Sequence, residues 1–247
     1  MKDPEKRFSE VAADYAKYRP SYPRMLLDWI ALTARLPKKA RIADIGCGTG
    51  ISARLWAARG VSVIGVDPNN DMLTLARAEG GGPEYQSGSA QATGLPDSSV
   101  DLISCAQSFH WFDVDKAQTE FSRVLKPSGR ACAFWNLRSR GEFMDAYETV
   151  ISAHCTDSHE ATHDRAAITR LLGHQRTLQA SEATFSSSQP MEREAFFGRV
   201  RSASYVAHGL KEPDNFWEAL DKLFDKYEKG GMITFLYDSI AVVWKVR

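Results

Sequence analysis

Three glycines at alternate positions, Gly46, Gly48 and Gly50, follow a short apolar run that contains an acid, Ala43-Asp44-Ile45, and a helical pattern starts at Ile51. A strand, a tight glycine turn and a helix start are the layout that lets a backbone approach a nucleotide-type cofactor closely. The G-x-G-x-G spacing is not the G-x-G-x-x-G of a dinucleotide turn. Alone, it fits several cofactors and also a purely structural turn. A second element is Val63-Ile64-Gly65-Val66-Asp67, an apolar strand whose acid falls 17 positions after Gly50. A carboxylate there can accept both hydroxyls of a ribose, or it can N-cap the helix that begins near Asn70.

These groups need rigid elements around them. Residues 5 to 18 read as an amphipathic helix with Phe8, Val11 and Tyr15 on one side, broken by Arg19-Pro20-Ser21-Tyr22-Pro23. Pro23 suits the first turn of a second helix carrying Leu26, Leu27, Ile30 and Leu32 towards a core. Strands are expected at Arg41–Ile45, Ser62–Val66, Glu84–Gln86, Asp101–Cys105 and Arg130–Trp135. Helices are expected at Ile51–Ala58, Asp71–Ala78 and Lys116–Leu125, with the crossover around Ser89–Ser98 less clearly helical. This alternation predicts a parallel sheet with helices on both faces. Past residue 137 helices are expected from about Gly141 to Ala153, then, after a polar, His-containing stretch to Arg165, in a short piece to Leu172, near Met191–Ala203 and at Pro213–Lys229. Ala183–Ser188 and Ile233–Val246 read as further strands.

Composition narrows the class. The 247 residues are 43% hydrophobic and 25% charged, as in ordinary globular proteins, and Lys+Arg equals Asp+Glu at 31 each. The balanced charge argues against a nucleic-acid footprint. No apolar run reaches the roughly 20 residues of a membrane span, and Met1–Arg7 lacks the apolar stretch of a secretory signal. The four scattered cysteines fit a reduced, cytoplasmic chain. His154, His159 and His163 only partly meet a zinc pattern, so no metal is expected.

Taken together, the motifs resemble those of class I S-adenosylmethionine-dependent methyltransferases. Ala43–Gly50 looks like the family's first motif, and Val66-Asp67-Pro68 with Met72 like its second. Gly88-Ser89-Ala90-Gln91, Leu95-Pro96, Val100–Ile103 and Val124–Arg130 are similar to the later ones, in order and at matching separations. Residues 8 to 23, Gln107–Asp113 and Arg201–Tyr205 resemble the trans-aconitate methyltransferase-like subgroup, which acts on small molecules. Ser89 and Gln91 stand where the family more often has acids.

The resemblance implies one doubly wound α/β domain over 1–247. Its seven-stranded, mostly parallel sheet would have an antiparallel last strand and a helical cap over the carboxyl ends of the strands. Residues 1–36 would form a lid, 37–136 the cofactor core, 137–230 the cap and 231–247 the last strand. S-adenosylmethionine would lie against Gly46, Cys47, Gly48 and Gly50, with Asp44 anchoring the loop or nearing the cofactor's amino group. Asp67 would hold the ribose, and Pro68, Met72, Ser89 and Ala90 would surround the adenine. Gln107 would sit beside the sulfonium, with Tyr15 and Arg19 closing over it. His110 is the expected base, or else a structural polar residue in an aromatic wall. Trp111, Phe112 and Trp135 would line the acceptor pocket, with Arg138, Arg140, Arg199 and Arg201 available to a carboxylate acceptor. The implied reaction is methyl transfer to a small molecule, most readily at oxygen. N- or C-methylation, a non-catalytic binding protein and a nicotinamide-dependent oxidoreductase are the alternatives.

Overall fold

The computed structural model describes residues 14, 17–156 and 160–247; most of the expected helix over 5–18, with Phe8, Val11 and Tyr15, lies outside them. Helix α1 (Arg24–Thr33) leads into β1 (Arg41–Ile45), α2 (Ile51–Ala57), β2 (Ser62–Asp67), α3 (Asn70–Ala78), β3 (Glu84–Ser87) and β4 (Val100–Ala106). A 3₁₀ turn over Phe109–Trp111 precedes α4 (Val114–Val124) and β5 (Leu125–Arg138). Then come α5 (Glu142–His154), α6 (Glu160–Leu172), β6 (Thr177–Glu192), α7 (Arg193–Arg201), α8 (Ser204–Gly209), α9 (Pro213–Tyr227) and β7 (Met232–Val246).

The strands form one seven-stranded sheet in the order β3-β2-β1-β4-β5-β7-β6. Strands β1 to β5 pair in parallel, and β7 runs antiparallel to both β5 and β6. The expected fold class is thus the observed one. β1, β2 and β4 are buried along nearly their whole length, as strands covered on both faces must be. One face packs beneath α4 and α6 through Phe109, Phe121, Trp135 and Trp244, and the other beneath α1 and α2 through Leu26, Trp56 and Phe134. β7 serves both, sending Val242 and Trp244 to the first face and Ala241 and Val243 to the second. Its other half, with Ile233, Phe235 and Tyr237, joins a separate apolar cluster made with α5, α7, α8 and α9.

Three expectations shift. β5 starts at Leu125, not Arg130, because Leu125 pairs with Val100 and the next pair is Leu102 with Arg130; residues 126–129 bulge out between them, and Lys126 reaches back to Asp101 at 2.9 Å. β6 is far longer than Ala183–Ser188 and continues through Met191, which pairs with Ile233, so α7 begins at Arg193. Its serine-rich, half-exposed face hides the alternation that marks a strand. The crossover after β3 is a turn, held to α4 by Glu120, whose Oε1 accepts from the backbone and hydroxyl of Thr93 at 2.9 and 2.6 Å. Arg123 beside it holds the Glu120 carboxyl at about 2 despite partial burial.

Candidate functional site

A cleft, partly open to solvent, lies at the carboxyl ends of β1, β2 and β4, where open parallel sheets bind ligands. Its walls come from the glycine turn, from Asp67, Pro68, Asn69 and Met72 after β2, and from Ala106 to Ser108 with Trp111 and Phe112 after β4; Tyr22 closes one side.

The turn is built from backbone contacts. The N–H groups of Gly46 and Cys47 both donate to the Val66 carbonyl, at 2.8 and 3.2 Å, tying it to β2. Gly46, Gly48 and Gly50 all have positive φ. At Gly46 a Cβ would stand 2.5 Å from that of Ser108, whose hydroxyl donates to the Ile45 carbonyl. At Gly48 a Cβ would meet nothing within 4 Å, so this position faces the open cleft.

Asp67 clamps the turn from the side. Its Oδ2 accepts from the Gly48 N–H at 2.8 Å and its Oδ1 from the Asn69 N–H at 2.9 Å. The helix cap is not Asp67: Asn69 caps α3, accepting from Asp71 and Met72, so the alternative role weighed for Asp67 falls to its neighbour. Asp44 lies fully buried behind the turn. Ser52 donates to its Oδ2, and Ser104 and the Ala53 N–H also lie against the carboxyl. Burial, reinforced by the nearby Asp67, raises its pKa to about 7 against the hydrogen bond from Ser52. Asp44 is outside the cleft lining, which fits the loop anchor of its two expected roles. Burial also pushes the Cys47 thiol well up, so it sits in the wall as a neutral group.

Gln107 ends β4 with a left-handed backbone, φ 53°, fixed by its N–H donating to the Phe134 carbonyl at 2.9 Å. Its side-chain Oε1 is buried with no hydrogen-bond partner among the described residues. An unpaired acceptor in a cleft wall is costly unless a ligand supplies the donor.

The cleft therefore unites Gly46, Cys47, Gly48, Asp67, Pro68, Met72, Gln107 and Trp111. Other expected site residues lie apart from it. Gly50 turns away, where a Cβ would collide with the Tyr85 hydroxyl. Ser89 receives the Ala92 N–H in the turn after β3, and Ala90 is buried in the core. Trp135 is wholly buried against Phe109, because alternation along β5 points it into the sheet core rather than the pocket. His110 adjoins the cleft, its ring 4.8 Å from that of Trp111, without lining it. Arg19 donates to the Ser202 carbonyl, tying the segment before α1 to the cap. Arg138 is taken up by Glu148 and Tyr205, Arg201 by Asp14 and Arg140 by Asp145. Tyr15 and His159 lie outside the described residues. His154 sits against Phe216, and no metal-holding cluster occurs among the described residues.

Tyr22, Asn69 and Ser108 were not expected in the lining. Asn69 could have been found as an Asn one residue before a helix start. Ser108 carries no such signal, since only the fold brings it onto Gly46.

Residues 43–133 match the family model described as a methyltransferase domain. An uncharacterized methyltransferase-like protein of Schizosaccharomyces pombe is 40% identical over 134 residues, 54% of this chain and 52% of that protein. An uncharacterized methyltransferase of Mycobacterium tuberculosis is 39% identical over 132 residues, 53% and 52%. The chain spans about half the length of these curated relatives. In fold it is similar to a putative type II methyltransferase of Anaeromyxobacter dehalogenans, with TM-score 0.67, 24% identity, and 93% of this chain and 98% of that one covered. The matched domain is a methyltransferase domain, and S-adenosylmethionine is the cofactor it supports. Among the described residues no helix is long and apolar enough to cross a membrane.

Proposed function

We propose that this chain is an enzyme that transfers a methyl group from S-adenosylmethionine to an oxygen of a small molecule, as in the trans-aconitate methyltransferase-like enzymes its motifs resemble. One observation carries the reading. A single cleft gathers an open glycine turn, a carboxylate that clamps that turn and an amide oxygen with no partner among the described residues, all inside or beside the segment that matches a methyltransferase domain.

The residues fit the cofactor. The backbone at Gly46 to Gly48 leaves room for its methionine end, Asp67 offers acceptors to ribose hydroxyls, and Pro68 and Met72 give the base an apolar wall. No described residue donates to the Gln107 Oε1, which leaves it for a donor on the ligand.

The cofactor supplies an electrophilic methyl group on a sulfonium. What the chain must add is alignment and dryness. Trp111, Phe112 and Tyr22 give the cleft aromatic walls, which disfavour water beside them. A carboxylate acceptor needs no base. For a hydroxyl acceptor we assign proton removal to His110, one residue from the cleft-lining Trp111.

Calorimetry with S-adenosylhomocysteine tests the donor half, with a micromolar Kd expected. Homocysteine release over a panel of acids, phenols and amines tests the acceptor half. No binding of S-adenosylhomocysteine refutes the reading, and turnover restricted to amines refutes the oxygen acceptor.

A further inference from the structure

Arg199 lies on α7 and is 4% exposed, yet its Nε and Nη1 have no hydrogen-bond partner. Among the described residues no carboxylate pairs with it. A guanidinium buried without a counter-charge is costly, and such groups are normally paired. Its surroundings are the hydroxyl-bearing rings of Tyr237, Tyr205 and Tyr147, from β7, α8 and α5. Burial works against its charge, but a guanidinium stays protonated in proteins, so the cation persists.

The cluster continues towards the cleft. The Tyr147 and Tyr205 hydroxyls lie 3.4 Å apart, and Arg138, opposite Tyr237 in the β5–β7 ladder, donates to Tyr205 at 3.1 Å. Glu148 neutralises Arg138 but leaves Arg199 uncompensated. On the same face of β5, two residues before Arg138, Asn136 donates to the Ser21 carbonyl beside the cleft-lining Tyr22. Two residues of strand span about 7 Å. The cluster thus lies in the cap, near the carboxyl end of β5, two residues of strand beyond the Asn136–Ser21 bond.

We infer that Arg199, with Tyr147, Tyr205 and Tyr237, anchors an anionic oxygen group of the acceptor, a carboxylate or phosphate, at a distance from the atom that is methylated. This rests on the methyltransferase reading above. Donors that converge on an anion draw charge from its oxygens and make them poorer nucleophiles, so the anchored group is held rather than methylated. Arg199 then selects acceptors that carry a remote anion.

The test uses the full chain with S-adenosylhomocysteine bound, probed with benzoate, citrate and inorganic phosphate against neutral benzamide. At least one anion should bind and raise Tm while benzamide does not. Response to the carboxylates or to phosphate tells which group the anchor takes. Arg199→Met should weaken that binding about 30-fold, the equivalent of roughly 2 kcal/mol for a charge-assisted contact. Arg199→Lys should recover part of it. Without anion, Arg199→Met should melt no lower than the wild type, since it removes an uncompensated buried charge, and should bind S-adenosylhomocysteine unchanged. Binding of no anion, benzamide matching benzoate, or unchanged anion affinity in Arg199→Met each overturns the anchor. So does a lower Tm of Arg199→Met without ligand, which marks a structural arginine. Failure of the wild type to bind S-adenosylhomocysteine overturns instead the donor site on which the anchor rests.

Discussion

Gly46 and Gly48 make an internal control, two residues apart in one turn with the same backbone handedness. Alanine at either must hold a left-handed conformation, which costs an L-residue roughly 1–2 kcal/mol. At Gly46 the new methyl also meets the Cβ of Ser108 at 2.5 Å, and Ser108 cannot yield freely because its hydroxyl is bonded to the Ile45 carbonyl. Overpacking of that kind adds about 1–3 kcal/mol, so Gly46→Ala should lose roughly 2–5 kcal/mol in all. With a urea m-value of about 3 kcal/mol/M, the midpoint falls by around 1 M. At Gly48 no atom lies within 4 Å, so Gly48→Ala should lose only the conformational part. Its methyl instead projects into the cleft and should weaken S-adenosylhomocysteine binding about 30-fold or more, roughly 2 kcal/mol. Urea unfolding and calorimetry on both variants read the two quantities separately. Equal destabilisation by the two, or wild-type affinity in Gly48→Ala, refutes the assignment of one glycine to packing and the other to the ligand.

Three further outcomes follow from the same geometry. Asp67→Ala removes the acceptor of the Gly48 N–H along with the proposed ribose contact, and calorimetry should show S-adenosylhomocysteine affinity down about 100-fold; intact binding would sink the ribose role. Asp44, with a folded pKa near 7 against an ordinary 3.8, binds a proton in the folded state that the unfolded chain releases. Its contribution therefore favours folding at low pH and is lost as pH rises from about 4 to 7, roughly 4 kcal/mol over that window. Asp44→Asn should flatten this part of the stability–pH profile and raise stability at pH 8; an unchanged profile by chemical denaturation counts against it. Glu120→Ala leaves the buried Thr93 N–H and hydroxyl without their acceptor and should cost about 2 kcal/mol in urea unfolding, a loss that Glu120→Gln should partly avoid.

The parallel half of the fold was legible because its strands are short, apolar and separated by helices of 3.6-residue period, and β1 was read with its observed ends. The cap side was less so. Extended pairing with β7 sets the length of β6, and nothing local to its serine-rich run announces that. At the site, Gly46, Gly48, Asp67, Met72 and Gln107 were found from spacing and resemblance, and the cleft unites them. Trp135 went astray because a tryptophan next to a site can face either side of its strand, and only register decides which. Arg199 was one of four available arginines in the sequence. The structure separates it from Arg138, Arg140 and Arg201 because each of those has found a carboxylate.

The position of β7 has a consequence for how the chain is made. It lies between β5 and β6, with Ala131 to Arg138 paired against Tyr237 to Trp244, so the free edge of β5 is closed by a segment synthesised much later. Roughly a hundred residues separate the two, about 5–20 s of translation. Throughout that interval a finished parallel half presents an apolar strand edge to other nascent chains. Aggregation during expression should therefore depend on elongation speed past residue 138 more than on the final stability of the fold.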